Sequence, residues 1–163
     1  MILVKLSGRG TEIVVSGQSS VISEERFRMQ GGYKDLQVWQ KSMDFVDAVY
    51  IATKSFPKEE MYGLTSQLRR SVVSVASNIA EGSSRNSAKE FIRFIEISYG
   101  SLAEAETQIY IANRQKYIAD EITNKLLEQA SEIGRMLNGL LGSLNKKLET
   151  TLTDRRPLVA ENY

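Results

Sequence analysis

Four segments after residue 34 repeat apolar residues at alternating spacings of three and four, the pattern of a helix that buries one face. The first segment starts after Asp35, a candidate N-cap, and ends at Phe56 because proline at position 57 disfavours helical backbone in the preceding residue. The second starts near Lys58 and ends at Gly82. Four such helices joined by short loops predict an all-α fold, an up-down-up-down antiparallel four-helix bundle.

The apolar positions predict which residue of each helix faces the core. Helix three has the clearest start, because Ser87 and Glu90 form a capping-box pattern. Its seam alternates spacings of four and three, which favours shallow antiparallel packing, and consists of Phe91, Ile95, Ser98, Leu102, Ala105, Ile109 and Ala112. The stripe of helix one is Leu36, Trp39, Met43, Val46, Tyr50 and Thr53. That of helix two is Met61, Leu64, Leu68, Val72, Val75 and Ile79. Helix four starts near Asp120 and carries Ile122, Leu126, Ala130, Ile133, Leu137, Leu140 and Leu144.

The two ends of the chain lack this pattern. Residues 1–32 mix glycine and serine with short apolar pieces. Residues 11–15 resemble a strand, but a lone strand has no partner for its backbone. We therefore predict a flexible extension over 1–32, with Met29 as an alternative start of the protein. The bundle is expected over 33–148 and a disordered tail over 149–163.

Composition narrows the chemistry. A chain of 163 residues fits one domain. It contains no cysteine and no histidine, which removes disulfides, thiolate nucleophiles, imidazole bases and the usual zinc ligands. We therefore expect no enzyme, no cofactor and no metal site. No apolar run reaches the length of a membrane span, so we expect a soluble, cytoplasmic protein.

The basic residues are unevenly spread, although the net charge of the chain is only +1. Residues 65–95 contain five basic residues and two acidic ones, Glu81 and Glu90, so the local charge is five minus two, or +3. These candidate nucleic-acid contacts are Arg69, Arg70, Arg85, Lys89 and Arg93. The pattern allows two interpretations, a solvated charged face with salt bridges or a phosphate-binding surface beside the start of helix three.

Helix three has a second apolar line on another face. Its members repeat at spacings of seven, four and seven, and are Ile92, Tyr99, Ala103 and Tyr110. In one interpretation, the core is broad enough to bury both apolar lines of helix three. In the other, the line is an interface between subunits, because exposed aromatic stripes mark association.

Several short motifs resemble a known bacterial family. They occur in order at residues 34–41, 56–64, 67–71, 78–82 and 91–104, which read KDLQVWQK, FPKEEMYGL, QLRRS, NIAEG and FIRFIEISYGSLAE. Over about residues 33–147 the chain is similar to the four-helix-bundle proteins named after intervening sequences of 23S ribosomal RNA genes. The resemblance extends to neither end of the chain.

The resemblance implies a bundle that assembles as a ring, typically a homopentamer. A distant relative, the accessory protein of diversity-generating retroelements, is a basic pentamer that binds nucleic acid and a reverse transcriptase. By analogy, the first residues to test for RNA contact are Arg69, Arg70, Arg85 and Arg93. The expected function is thus a non-enzymatic homo-oligomer that binds RNA or other nucleic acid weakly through basic residues. The alternative is a protein–protein adaptor or structural assembly, for example an accessory to a reverse transcriptase, with no direct RNA binding.

Overall fold

The computed structural model describes residues 3–6, 11–14 and 32–153. From residue 33 to residue 153 the chain forms helices joined by short turns, and two 3₁₀ turns, Thr53–Ser55 and Lys58–Tyr62, lie between the first two long helices. The long helices are α1 Gln37–Ala52, α2 Leu64–Ser83, α3 Ala88–Arg114 and α4 Asp120–Thr153.

Each helix packs against the next one in sequence, and α4 returns to pack against α1. Hydrogen bonds fix the direction of neighbouring helices. The Ser71 hydroxyl donates to the Gln108 side chain, and the Ser98 hydroxyl donates to the Val75 carbonyl, so α2 and α3 are antiparallel. The predicted all-α four-helix bundle is confirmed, whereas ring assembly stays a prediction.

The core confirms most of the predicted stripes. Every residue of the predicted α3 seam, from Phe91 to Ala112, is buried. The α4 stripe is buried at its centre, whereas Ile122 at its start is exposed and Leu140 lies at the edge of the core. In α2 the buried line runs from Leu68 to Ile79, and Met61 is exposed in the turn before the helix.

The predicted face of α1 is confirmed only in part, because Thr53 is buried but the centre of the buried line lies on a neighbouring face. Its buried line is Val38, Ser42, Phe45, Val49 and Ala52, whereas the predicted Met43 and Tyr50 are exposed. Leu36, Trp39 and Val46 flank the core. The buried line was not predicted because it contains a polar residue, Ser42. The Ser42 hydroxyl can be buried because it donates a hydrogen bond to the Val38 carbonyl at 2.7 Å.

The predicted starts of α1 and α2 are also corrected. The segment near Lys58 is a 3₁₀ turn, and α2 begins only at Leu64. Asp35 ends a 3₁₀ turn, where its carboxylate accepts from the Gly32 backbone at 3.0 Å, and the N-cap of α1 is Leu36. Ser87 is the N-cap of α3, as predicted, and accepts from the Glu90 backbone at 3.4 Å. The Glu90 carboxylate lies near Arg93 instead of completing a capping box.

At the amino-terminal end, β1 Leu3–Leu6 and β2 Thr11–Val14 pair antiparallel. The expectation that a strand at 11–15 would lack a partner is therefore wrong. At the other end, α4 continues to Thr153, past the predicted end of the bundle at 148. The predicted flexibility of the rest of 1–32, the alternative start at Met29 and the tail after 153 lie outside the described residues. Within the described part of the chain, no helix combines the length and apolar character needed to cross a membrane.

Candidate nucleic-acid interface

The structure divides the five predicted basic contacts into two groups. Arg69 and Arg70 lie in the second turn of α2, near one end of the bundle. The other three, which we call the turn group, surround the connection between α2 and α3 at the opposite end: Arg85, Lys89 and Arg93. Arg69 lies fourteen residues before Ser83, the last residue of α2, which corresponds to about 21 Å along the helix. The five residues therefore do not form one continuous patch, and their role in RNA binding stays a prediction.

The turn group is largely neutralised by carboxylates. Arg85 pairs with Glu81, and its guanidinium carbon lies 5.1 Å from the centre of the Phe94 ring. Arg93 pairs with Glu90 at 3.8 Å. Three cations and two carboxylates leave a local charge of +1. Such exposed pairs contribute little stability, but each carboxylate offsets the charge that a phosphate would meet.

Arg69 and Arg70 lack such partners. Among the described residues, neither has a carboxylate within ion-pair distance. The Arg69 Nε donates to the Thr53 hydroxyl at 2.8 Å, and its guanidinium carbon lies 4.8 Å from the centre of the Tyr50 ring. Arg70 is exposed. The Arg69 head group is thus held in one orientation by neutral partners, and both arginines keep their full charge.

These arginines border an open groove of about 700 Å³ on the outer face of α2, which we call the α2 groove. Its volume falls within the range of ligand sites in proteins. Aromatic and apolar side chains are exposed among hydroxyls and guanidinium groups, and the full lining is Tyr50, Met61, Tyr62, Thr65, Ser66, Arg69, Arg70, Val73 and Ser74. The lining contains no carboxylate, so its chemistry suits anions and flat rings.

Glu60 fixes the rim of the α2 groove. The N-cap position of α2 is Gly63, which has no side chain, and the Glu60 carboxylate takes over that role by accepting from the Leu64 N–H at 2.9 Å. The same carboxylate accepts from the Tyr117 hydroxyl at 3.2 Å. Desolvation, followed by this hydrogen bond, raises the pKa of the Tyr117 phenol. The turn that carries Met61 and Tyr62 is thereby tied both to α2 and to the loop before α4.

Sequence reasoning missed three residues of the α2 groove. Tyr50 and Met61 were assigned to core stripes, since aromatic and apolar residues at helical spacing are usually buried. Tyr62 received no role of its own. A usable signal was the position of Met61 and Tyr62 between Pro57 and Gly63, because segments bounded by these residues form exposed turns.

The four residues of the predicted interface line on α3 differ in their exposure. Ile92 is half-buried and packs against the core, as the broad-core interpretation requires. Tyr99 and Tyr110 are 40% and 56% exposed, and Ala103 is exposed between them. Tyr99 and Ala103 border a groove of about 210 Å³ between α3 and α4, the α3–α4 groove, whose other side includes Gly134, Arg135 and Asn138. Three of the four predicted residues therefore form a surface line.

Across residues 3–6, 11–14 and 32–153, no group of three or more acidic, histidine or cysteine side chains is placed to hold a metal ion.

Fold and surface together define a small antiparallel four-helix-bundle protein with an arginine-rich aromatic groove on one helix and an aromatic line on another. The family model described as 23S rRNA-intervening sequence protein matches residues 34–139, and the chain belongs to this family. A similar crystal structure is that of a Bacteroides thetaiotaomicron VPI-5482 protein described as one of unknown function from the S23 ribosomal protein family. It is 24% identical, with a TM-score of 0.60, and the match covers 64% of this chain and 97% of that one. No curated protein matches the chain.

Proposed function

We propose that this protein is a non-enzymatic homo-oligomer that binds RNA through Arg69 and Arg70. The observation that carries the proposal is the pair of arginines beside the α2 groove, which have no carboxylate partner among the described residues. The turn group is secondary, because two of its three cations face glutamates.

The geometry around Arg69 favours binding of phosphate. A guanidinium presents its donors in a planar fork that matches phosphate oxygens. Its Nε is already bonded to the Thr53 hydroxyl, and its plane lies near the Tyr50 ring, so less side-chain entropy is lost on binding. The net charge of +1 provides little long-range attraction for a polyanion. One copy is therefore expected to bind weakly, and assembly of several copies supplies the affinity.

The first prediction compares two double variants that remove equal charge. Arg69→Gln/Arg70→Gln should weaken binding to a structured RNA and reduce the dependence of affinity on salt. The slope of log K against log salt is negative, and each lost phosphate contact reduces its magnitude by about 0.7–0.9. Arg85→Gln/Arg93→Gln should have a much smaller effect on both quantities, because those arginines are already paired. Fluorescence anisotropy between about 50 and 200 mM salt measures both the affinity and the slope.

Circular dichroism checks that each double variant is folded. This check matters for Arg69, which also packs on Tyr50. Arg70 is exposed, so the single variant Arg70→Gln separates charge from packing. An equal loss of RNA affinity in the two double variants would contradict the assignment of RNA binding to the α2 groove. Unchanged RNA affinity in Arg69→Gln/Arg70→Gln would show that these arginines do not bind RNA.

We place the contact between copies at Tyr99, Ala103 and Tyr110. Tyr99, which borders the α3–α4 groove, and the exposed Tyr110 support this, since Tyr is enriched in the buried centres of interfaces. The second prediction is that Tyr99→Glu/Tyr110→Glu is monomeric by light scattering. The matched control is Ile97→Glu/Ile111→Glu, which adds the same charge at two residues of α3 that are each 42% exposed but lie on other faces. Monomers from the control variant, or oligomers from the tyrosine variant, would contradict the placement.

The alternative function is an adaptor that assembles in the same way and binds a protein instead of RNA. The observation that favours it is the exposed apolar and aromatic part of the α2 groove lining, which consists of Tyr50, Met61, Tyr62 and Val73. Association driven by apolar area changes little with salt, whereas RNA binding falls steeply as salt rises. An oligomer that takes up no RNA even at low salt would support the adaptor and exclude the RNA-binding function.

A further inference from the structure

Tyr62 is 95% exposed, although it belongs to an ordered turn. It is the last residue of the 3₁₀ turn Lys58–Tyr62, and Glu60 ties that turn to the start of α2 and to Tyr117. The backbone therefore holds a large ring out in solvent at the rim of the α2 groove. Burial in the bundle does not explain this position, because almost none of the ring contacts the rest of the protein.

The lining of the α2 groove includes a second flat surface. The Arg69 guanidinium carbon is 4.8 Å from the centre of the Tyr50 ring, and its Nε is bonded to Thr53. Both tyrosine rings and arginine planes serve as stacking platforms for bases in proteins that bind RNA. The exposed Arg70 follows directly in the chain and adds an unpaired cation to the same groove.

We propose that the α2 groove binds a single-stranded segment of RNA, with a base stacked on Tyr62 and the adjoining phosphate held by Arg70. The proposal rests on RNA binding by Arg69 and Arg70 and specifies the kind of RNA that they contact.

The argument for a single strand is steric and electrostatic. In a duplex, neighbouring base pairs cover the faces of each base, so a protruding tyrosine reaches a base face only where the nucleotide is unpaired. Recognition of duplex RNA uses phosphates on successive grooves and requires cations spread along a long surface. Here the two unpaired arginines are adjacent, and the turn group lies about 20 Å away along the bundle, with two of its three cations paired to carboxylates.

The same features predict little preference for sequence. Stacking tolerates every base because each has an aromatic face. The polar side chains of the groove beside the tyrosines are hydroxyls and guanidiniums, which donate to phosphate and ribose oxygens as readily as to bases, and the remaining Met61 and Val73 donate no hydrogen bonds. We therefore expect unpaired loops and linkers of different sequence to bind with similar affinity.

The test uses the full chain, an unpaired oligoadenylate and a blunt RNA duplex of equal length. Oligoadenylate should bind more tightly than the duplex. Tyr62→Ala should weaken oligoadenylate binding by roughly 5- to 150-fold, the range for loss of one stacked base. Tyr62→Phe keeps the ring and should bind like the wild type. Ile51→Ala is the matched control, since Ile51 is 67% exposed on α1 and does not line the α2 groove.

The salt dependence separates stacking from charge. Tyr62→Ala should lower the affinity without changing the salt slope, whereas Arg70→Gln should lower the slope by about 0.7 for a single strand. Equal affinity for duplex and single strand, or a Tyr62→Ala variant that binds like wild type, would overturn the stacking proposal and leave the arginine contacts standing. Absence of binding to both RNAs at low salt would instead overturn the proposed RNA-binding function, and the stacking proposal with it.

Discussion

Gly82→Ala is expected to lower the free energy of unfolding by about 1–3 kcal/mol, the usual cost of overpacking a core. A Cβ at this position would lie 2.6 Å from the Cβ of Phe94 and 2.8 Å from the Cδ2 of Phe91. The Phe94 Cβ is attached directly to the backbone of α3, so it moves only if the two helices separate. Phe91 is fully buried and has little room to turn. Urea unfolding followed by circular dichroism measures the change.

The sign of this effect is informative, because alanine normally stabilises a helix by about 0.5–1 kcal/mol over glycine. Gly100→Ala is the matched control. Gly100 lies within α3, and an added Cβ there would meet nothing within 4 Å. We expect Gly100→Ala to be slightly more stable than the wild type. A Gly82→Ala variant that is also more stable would show that α2 and α3 are not held at this close distance.

The close approach at Gly82 belongs to a wider polar fit between α2 and α3. Ser71 bonds to the Gln108 side chain, and Ser98 bonds to the Val75 carbonyl. Buried hydrogen bonds of this kind contribute about 1 kcal/mol each, but a sliding of the helices would leave all of them unsatisfied. They therefore fix the register of α2, and hence the position of the α2 groove on its outer face.

The sequence predicted α3 well for a physical reason. Its seam repeats strictly at four and three, a serine caps its start, and every seam residue is buried. In α1, two apolar lines share the helix, and the line that contains Ser42 is the buried one. Burial depends on which neighbouring helix covers each flank. A single sequence does not contain that information when a polar residue satisfies its hydrogen bonds within its own helix.

The candidate site was predictable only in part. Arg69 and Arg70 were identified from the local excess of positive charge, but their separation from Arg85 follows from the length of α2 between them. The interpretation of a charged face with salt bridges describes Arg85 and Arg93, which pair with glutamates one helical turn away. The exposure of Tyr62 was not predicted, because it depends on the 3₁₀ turn that Glu60 anchors. Such a turn has no hydrophobic periodicity in the sequence.

Loss of assembly is expected to have the largest effect on binding to long RNA. On the proposed function, each copy contributes one α2 groove with two unpaired arginines. When several grooves contact one RNA, later contacts form within the complex at a high effective concentration, and the gain in affinity is about 10²–10⁴-fold. The monomer-forming variant Tyr99→Glu/Tyr110→Glu should therefore bind a long single-stranded RNA at least about 100-fold more weakly than the wild type.

Two controls separate multivalency from damage to the groove. A short oligonucleotide that reaches only one α2 groove should bind the monomeric variant and the wild type equally. Ile97→Glu/Ile111→Glu adds the same negative charge to α3 and should keep the tight binding of long RNA if the oligomer remains intact. Equal affinity of monomer and oligomer for long RNA would show that one groove accounts for all of the binding. A parallel loss for short and long RNA would show that the tyrosine substitutions damage the groove itself. Only a loss confined to long RNA supports an assembly that binds RNA through several grooves at once.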